Sequence, residues 1–216
     1  MQDLEPIFLS LKLSFICAFV LFILCLYPAF YCARNDFFAK KFIISVVSLP
    51  LVLPPTVLGF YLLVFLSPNN FLGEFLAKYD IKLVFNFQAL VIASLIYSLP
   101  FMFNPLYTAF KALPNNLFDR AKLLEKSIPN IIFRLSLPLI FPSLISAFIM
   151  TFAHTMGEFG VVMMIGGSIT GETKVASIAV YEALENIDYT RAHEISIIML
   201  LISFAFLLPL QYIKNK

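Results

Sequence analysis

Charged positions cut this chain into apolar intervals of membrane-spanning length. No Asp, Glu, Lys or Arg occurs in 13–33, 42–73, 83–110, 135–157 or 195–213, and a bilayer core needs roughly 20 apolar residues in a helix. The pattern predicts an all-α integral membrane protein with spans over about 8–33, 42–66, 84–110, 136–157 and 194–213, in one domain covering 1–216. Between the third and fourth intervals the pattern changes. Lys111, Asp119, Arg120, Lys122, Glu125, Lys126 and Arg134 stand together in a polar stretch, 111–134, closed by Leu137-Pro138. It reads as a pair of short helices. A membrane chain that keeps one sizeable charged insertion presents it to something outside the bilayer, so the stretch is expected to dock a separate motor protein.

Prolines and glycines mark where the helices should depart from regularity. Pro50, Pro54 and Pro55 fall within six residues of the second interval, followed by Gly59. Each proline removes an intrahelical hydrogen bond that lipid cannot replace, which predicts a bent helix against protein or a wet cavity. Pro100 and Pro105 predict the same for the third. Five of the seven glycines, Gly157, Gly160, Gly166, Gly167 and Gly171, cluster from the end of the fourth interval onward. Leu135–Gly167 is too long for one span and too short for two, so a helix to about Gly157 should be followed by a short irregular or re-entrant piece. Non-helical backbone at membrane depth survives only when buried in protein or facing water. Residues 154–171 are therefore the candidate gate, with Pro54, Pro55, Gly59, His154, Gly157, Glu158, Gly160, Gly166 and Gly167 as candidate pathway residues. Val175–Glu185 follows as a short amphipathic helix.

Composition agrees with that reading and narrows the chemistry. The 216 residues are 61% hydrophobic and 13% charged, where about 25% charge is usual in soluble domains. The acidic start, Asp3 and Glu5, does not resemble a secretory signal, and the first apolar run is expected to remain as a span. Placing the N-terminus outside puts ten basic residues on inner connections and five on outer ones. By the positive-inside rule the 111–134 stretch and the C-terminus should then be cytoplasmic. Cys17, Cys25 and Cys32 share one apolar segment and read as packing residues.

His154 and Glu158 are four apart and share a helix face, but no third ligand has a supporting spacing, so no metal is expected. An ionisable residue at membrane depth is still a functional candidate, and Glu158 is the one to test. Gly166–Thr173 has the spacing of a phosphate-binding loop, with Glu172 where the lysine belongs. A carboxylate there would repel phosphates. The chain is expected to hold no nucleotide, metal or other cofactor, to catalyse nothing itself, and to bind no nucleic acid; any ATP would be bound by a partner subunit.

The polar stretch resembles the cytoplasmic EAA loop of ABC importer permeases. Aligned on Leu137-Pro138, Asp119 stands at the glutamate, Arg120 and Ala121 at the alanines, Glu125 at the glycine and Leu135 at the isoleucine. Arg120 and Glu125 depart from the pattern, and a glutamate at the glycine position predicts a smoother turn than a left-handed one. In that family the loop is a coupling helix seated on the nucleotide-binding subunit, which implies contact residues Leu117, Phe118, Asp119, Ala121, Leu124 and Glu125. The rest of the chain resembles the oxyanion branch of MetI-like type I ABC importers (molybdate, tungstate and sulfate permeases), and within it the molybdate permeases. Leu53–Leu63, Phe152–Gly160, Ile165–Lys174 and Ile178–Tyr181 carry the resemblance. It implies a homodimeric permease of a bacterial inner membrane, with a cytoplasmic ATPase and an external oxyanion-binding protein as partners. Tungstate or sulfate as the cargo is the alternative, and a stand-alone membrane channel a more remote one.

Overall fold

The computed structural model describes residues 4–68, 70, 73, 74, 78 and 82–214. Lys216 and the side chains of Arg120, Lys122 and Lys214, which enter the count of basic residues, lie outside the described residues. Among the described residues the regular structure is entirely helical: α1 (Glu5–Arg34), α2 (Lys40–Ser48), α3 (Pro55–Leu66), α4 (Phe87–Ala112), α5 (Asn115–Leu123), α6 (Phe141–Met156), α7 (Gly160–Gly166), α8 (Ala176–Glu185) and α9 (Tyr189–Lys214). Three of these, α1, α4 and α9, are long and apolar enough to cross a membrane. Counting each of two bent pairs as one span raises the number to five.

Both bends have a covalent cause. After α2 the chain makes a 3-10 turn, Leu49–Leu51, and Pro54 then takes an extended conformation, φ −56° and ψ 134°. A residue before proline is pushed out of the helical region, so Pro55 can only begin a new helix. The two arms meet at 109°. The second bend separates an irregular helical arm, Ile128–Leu139, from α6 by 86°; lying almost square to α6, it is the transverse arm. This arm contains a π-helical stretch, Ile131–Ser136. The break falls at Ile140, inside the apolar interval and beyond its charged boundary, because Pro142 has no N–H to give back to Pro138 and its ring crowds that carbonyl. Leu137-Pro138 therefore belongs to the transverse arm and not to the helix that follows.

The prediction for the third interval changes in one respect. Helix α4 runs without a break through Pro100 and Pro105. Asn86 caps its start, its side chain accepting from the Ala89 N–H at 2.8 Å, and α1 and α6 pack along its sides. Neighbouring helices can thus hold a proline-bearing turn in place.

The core lies between α1, α4, α6 and the transverse arm. Cys17, Leu21, Cys25, Met102, Leu106, Phe110, Ile131, Ile132 and Ala147 are buried there, so the three thiols are packing groups as expected. A second cluster joins α3, α4 and α7 through Leu66, Leu90, Ala93, Val161 and Ile165. Of the three long helices α9 is the least covered, with Leu200, Leu201 and Phe204 each at least 60% exposed.

Candidate functional site

Where the sequence predicts an irregular or re-entrant piece, the chain forms a regular seven-residue helix, α7, wedged between α3 and α4. Small residues make that wedge possible. A Cβ on Gly59 would lie 2.8 Å from Met164 Cβ and 3.1 Å from Val161 Cα, and one on Gly160 would lie 2.8 Å from Pro55 Cβ. Pro55 and Gly59 on α3 therefore meet Gly160 and Met164 on α7, as small residues let membrane helices approach closely. Gly59 is buried in this contact. Gly166 is buried against Leu90 and Thr173, whereas Gly157, at the end of α6, is exposed. Gly167 ends α7 with φ +62°, a conformation that suits a residue without Cβ.

Below α7 a polar row crosses the apolar interior. Ser98 Oγ is 3.0 Å from His154 Nδ1 and 2.8 Å from Thr155 Oγ1. The imidazole stacks on Phe101, with centroids 3.8 Å apart, and lies beside Tyr97. His154 is thus held by hydroxyl and aromatic neighbours, and no group of three His, Cys, Asp or Glu among the described residues could hold a metal. His154 and Glu158 are not bonded to each other.

Glu158 is 4% exposed, and neither carboxyl oxygen has a hydrogen-bond partner. Ser94, one turn of α4 from Ser98, is near enough to interact with it but is not in hydrogen-bond geometry. The Glu158 backbone carbonyl accepts from Ser177 Oγ at 2.6 Å, which pins the α6–α7 joint to α8. An ionisable group left this way inside a bilayer protein is costly, which keeps Glu158 a candidate functional residue. Ser94, Ser98 and Thr155 were invisible in the sequence as members of this row. Serines at i and i+4 on one helix face were the available signal, and a single apolar span contains too many serines for it to stand out.

At the end of the molecule that holds α8 and the start of α1, Glu182 accepts from Ser168 and pairs with Lys174. Partial burial would raise the Glu182 carboxyl, but the hydrogen bonds from Lys174 and Ser168 and the charges of Lys174 and Arg191 outweigh it, leaving it below the ordinary carboxylate value. Lys174 and Arg191 also line a cavity of about 200 Å³ with Glu5, Pro6, Thr170 and Gly171. The look-alike phosphate loop, 166–173, follows a helix and not a strand. Thr173 Oγ1 accepts from the Ile169 N–H at 2.9 Å, and Glu172 is exposed. That hydroxyl is used within the loop itself.

The charged elbow lies at the opposite end. Helix α5 carries Asp119 outward, with Leu123 at 84% and Leu124 at 68% exposure. Phe118 and Ala121 turn the other way and are buried in the chain's own core. Phe118 is therefore a root of this helix, while Leu123, absent from the sequence reading, is its most exposed apolar residue. Between α5 and the transverse arm is a cavity of about 380 Å³ lined by Leu117, Ala121, Leu124, Ile131 and Leu135, with Lys126 and Arg134 among its walls.

The turn after α5 corrects one expectation. Glu125 adopts φ +50°, and the Lys126 N–H donates to the Ala121 carbonyl at 3.1 Å. This is the six-to-one bond of a left-handed helix end, kept although the residue has a Cβ. The bond and the packing of Ala121 impose the turn that the side chain disfavours.

Residues 26–215 match the family described as binding-protein-dependent transport system inner membrane component. The chain is 40% identical over 210 residues to the molybdenum transport system permease protein ModB of Azotobacter vinelandii, covering 97% of this chain and 93% of that one. It is 31% identical over 211 residues to the putative molybdenum transport system permease protein YvgM of Bacillus subtilis, with the same coverage. The sulfate transport system permease protein CysT of Escherichia coli is 28% identical over 183 residues, 85% of this chain and 66% of that one. Among solved structures, the fold resembles the MetNI methionine ABC transporter in its inward facing conformations, with a TM-score of 0.67 at 16% identity over 97% of this chain and 95% of that one. The likeness shows the fold alone.

Proposed function

The chain belongs to the inner-membrane components of binding-protein-dependent transport systems, a multi-pass permease family, and from that premise we propose that it forms the molybdate pathway of an ATP-driven importer. The observation that carries the cargo is the 40% identity to a molybdenum permease over 97% of the chain. The proposed assembly is a homodimer with a cytoplasmic ATPase on α5 and an external oxyanion-binding protein over the loops around Lys174. The N-terminus is outside and the C-terminus cytoplasmic, in keeping with the positive-inside count. ATP is bound by the partner, and the permease needs no cofactor of its own.

In this reading Asp119, Leu123 and Leu124 meet the ATPase, and closure of the ATPase pair displaces α5. The displacement travels into α1, α4 and the transverse arm, which share one core. Movement of α4 shifts Ser94 and Ser98 against His154, Thr155 and Glu158, and the α3–α7 wedge opens or closes above them. Hydroxyls bind an oxyanion weakly enough to release it, so selectivity rests mainly with the external protein.

The test is uptake of labelled molybdate by proteoliposomes holding this permease, its ATPase and the external binding protein. Molybdate uptake that depends on ATP and survives excess sulfate is expected. Uptake in which sulfate is the preferred cargo would instead support the second reading, which the 28% identity to a sulfate permease favours.

A further inference from the structure

Helix α5, the element a partner would push, is rooted in the core by Phe118 and Ala121. A side chain from α1 adds a polar tie to that packing. Arg34, in the last turn of α1, donates from Nη2 to the carbonyls of Phe110, at the end of α4, and Leu113, at 2.7 Å from the latter. Its Nη1 donates to Asn115 Oδ1, at the start of α5, at 3.0 Å. The guanidinium also lies over the Phe118 ring, 3.7 Å from its centroid. One turn back on α1, Phe30 packs edge-on against Phe110 at 5.4 Å and at a tilt against Phe118 at 6.0 Å.

The chemistry suits arginine and no other residue. The Phe110 carbonyl accepts a single backbone bond, from the Leu113 N–H at 3.3 Å, which leaves a lone pair for a side-chain donor, and the carbonyls at this end carry the negative pole of the α4 dipole. A planar fork can satisfy two of them, reach Asn115 and still stack on a ring, whereas a lysine ammonium is a point charge without a stacking face. Removing it would leave α5 joined to α4 mainly by Leu113-Pro114 and the packing of Phe118.

We propose that Arg34 is the positioning residue through which α5 moves α1 and α4 together, so that the ATPase stroke is converted into transport only while this side chain holds. The inference rests on the proposed ATP-driven import. Arg34→Ala and Arg34→Lys are compared with wild type in proteoliposomes containing the ATPase and the binding protein, reading ATPase co-purification, ATP hydrolysis and molybdate uptake. Both variants are expected to retain the ATPase, because the outward face of α5 is untouched. Molybdate carried per ATP should fall at least about fivefold in Arg34→Ala, at the lower end of ordinary coupling between sites, and by less in Arg34→Lys. An unchanged ratio in Arg34→Ala overturns the proposal. Asn115→Ala removes one anchor from the α5 side without disturbing α1 and should lower the ratio in the same direction, which keeps the test valid if Arg34→Ala does not accumulate.

A second measurement does not depend on the cargo. Spin labels at positions 36 and 116, with the three native cysteines replaced by alanine, should give one narrow distance distribution with Arg34 present and a broadened one in Arg34→Ala. Equal widths overturn the tie even if transport is confirmed. Failure of wild type to take up molybdate, with the widths differing as stated, overturns the cargo alone.

Discussion

The α3–α7 wedge offers a sharp test of the packing, because two glycines close to it should respond in opposite ways. In Gly59→Ala the new methyl would lie 2.8 Å from Met164 Cβ and 3.1 Å from Val161 Cα. Non-bonded carbons settle at about 3.5–4.0 Å, so α3 and α7 must separate by on the order of 0.5–1 Å. Neither obstacle is the free end of a flexible side chain, and α7 cannot retreat, since α4 covers its other side. Overfilling such a contact costs about 1–3 kcal/mol, and alanine's better helix propensity returns at most about 1 kcal/mol. A net loss of about 1–2 kcal/mol should lower Tm by roughly 2–8 °C for a chain of this size. Gly157→Ala is the control: its Cβ would meet only Ala153 O at 3.7 Å and His154 O at 3.8 Å, with φ at an ordinary −88°. It should melt at or slightly above wild type. Thermal unfolding of the detergent-purified permease, followed by loss of the monodisperse chromatographic peak, measures both. If Gly59→Ala equals wild type, or Gly157→Ala falls as far, the close approach of these helices is wrong.

Four further outcomes follow from particular residues. Glu125→Gly relieves a left-handed residue bearing a Cβ and should stabilise the purified permease by about 1 kcal/mol, read as a rise in Tm. Ser98→Ala leaves His154 Nδ1 and Thr155 Oγ1 without their shared partner and should cost about 1–3 kcal/mol in the same assay. Leu123→Glu removes an apolar contact of the exposed face of α5. If a partner buries that leucine, worth about 1.5–3 kcal/mol, ATPase affinity should weaken at least about tenfold while the permease's own Tm stays put. Glu182 titrates below the ordinary carboxylate value when folded, so its contribution is present above the unfolded value and is lost as pH falls through the folded one. The Tm gap between wild type and Glu182→Gln should therefore narrow below about pH 4.

Much of the architecture was legible because a bilayer reads sequence crudely. Charge-free length marks the apolar helices, and Pro54-Pro55 permits only one place for the sharp bend after α2. The break after α6 was legible from glycine clustering and from the apolar stretch being too long for one helix, although the piece expected to be irregular or re-entrant is the regular helix α7. What escaped is long-range or strained. Arg34 looks like an ordinary charge at the end of a span, and its hydrogen-bond partners lie 76 to 81 positions away. Phe118 reads as a candidate partner contact until Phe30 and Arg34 are seen beneath it. Gly59 and Gly160 each suggest flexibility on their own, and only the folded pair shows that both make room for a neighbour. The left-handed Glu125 defies its side chain, which no local rule would predict. The unpartnered Glu158 carboxyl depends on which serines α4 brings near it.

The unbroken passage of α4 through Pro100 and Pro105 has a mechanical consequence. At about 1.5 Å per residue its 26 residues form a rod roughly 39 Å long, gripped by a guanidinium at its foot and bearing two hydroxyls at mid-length. A torque applied at that foot reaches the hydroxyls along one continuous helix and needs no relay of loops.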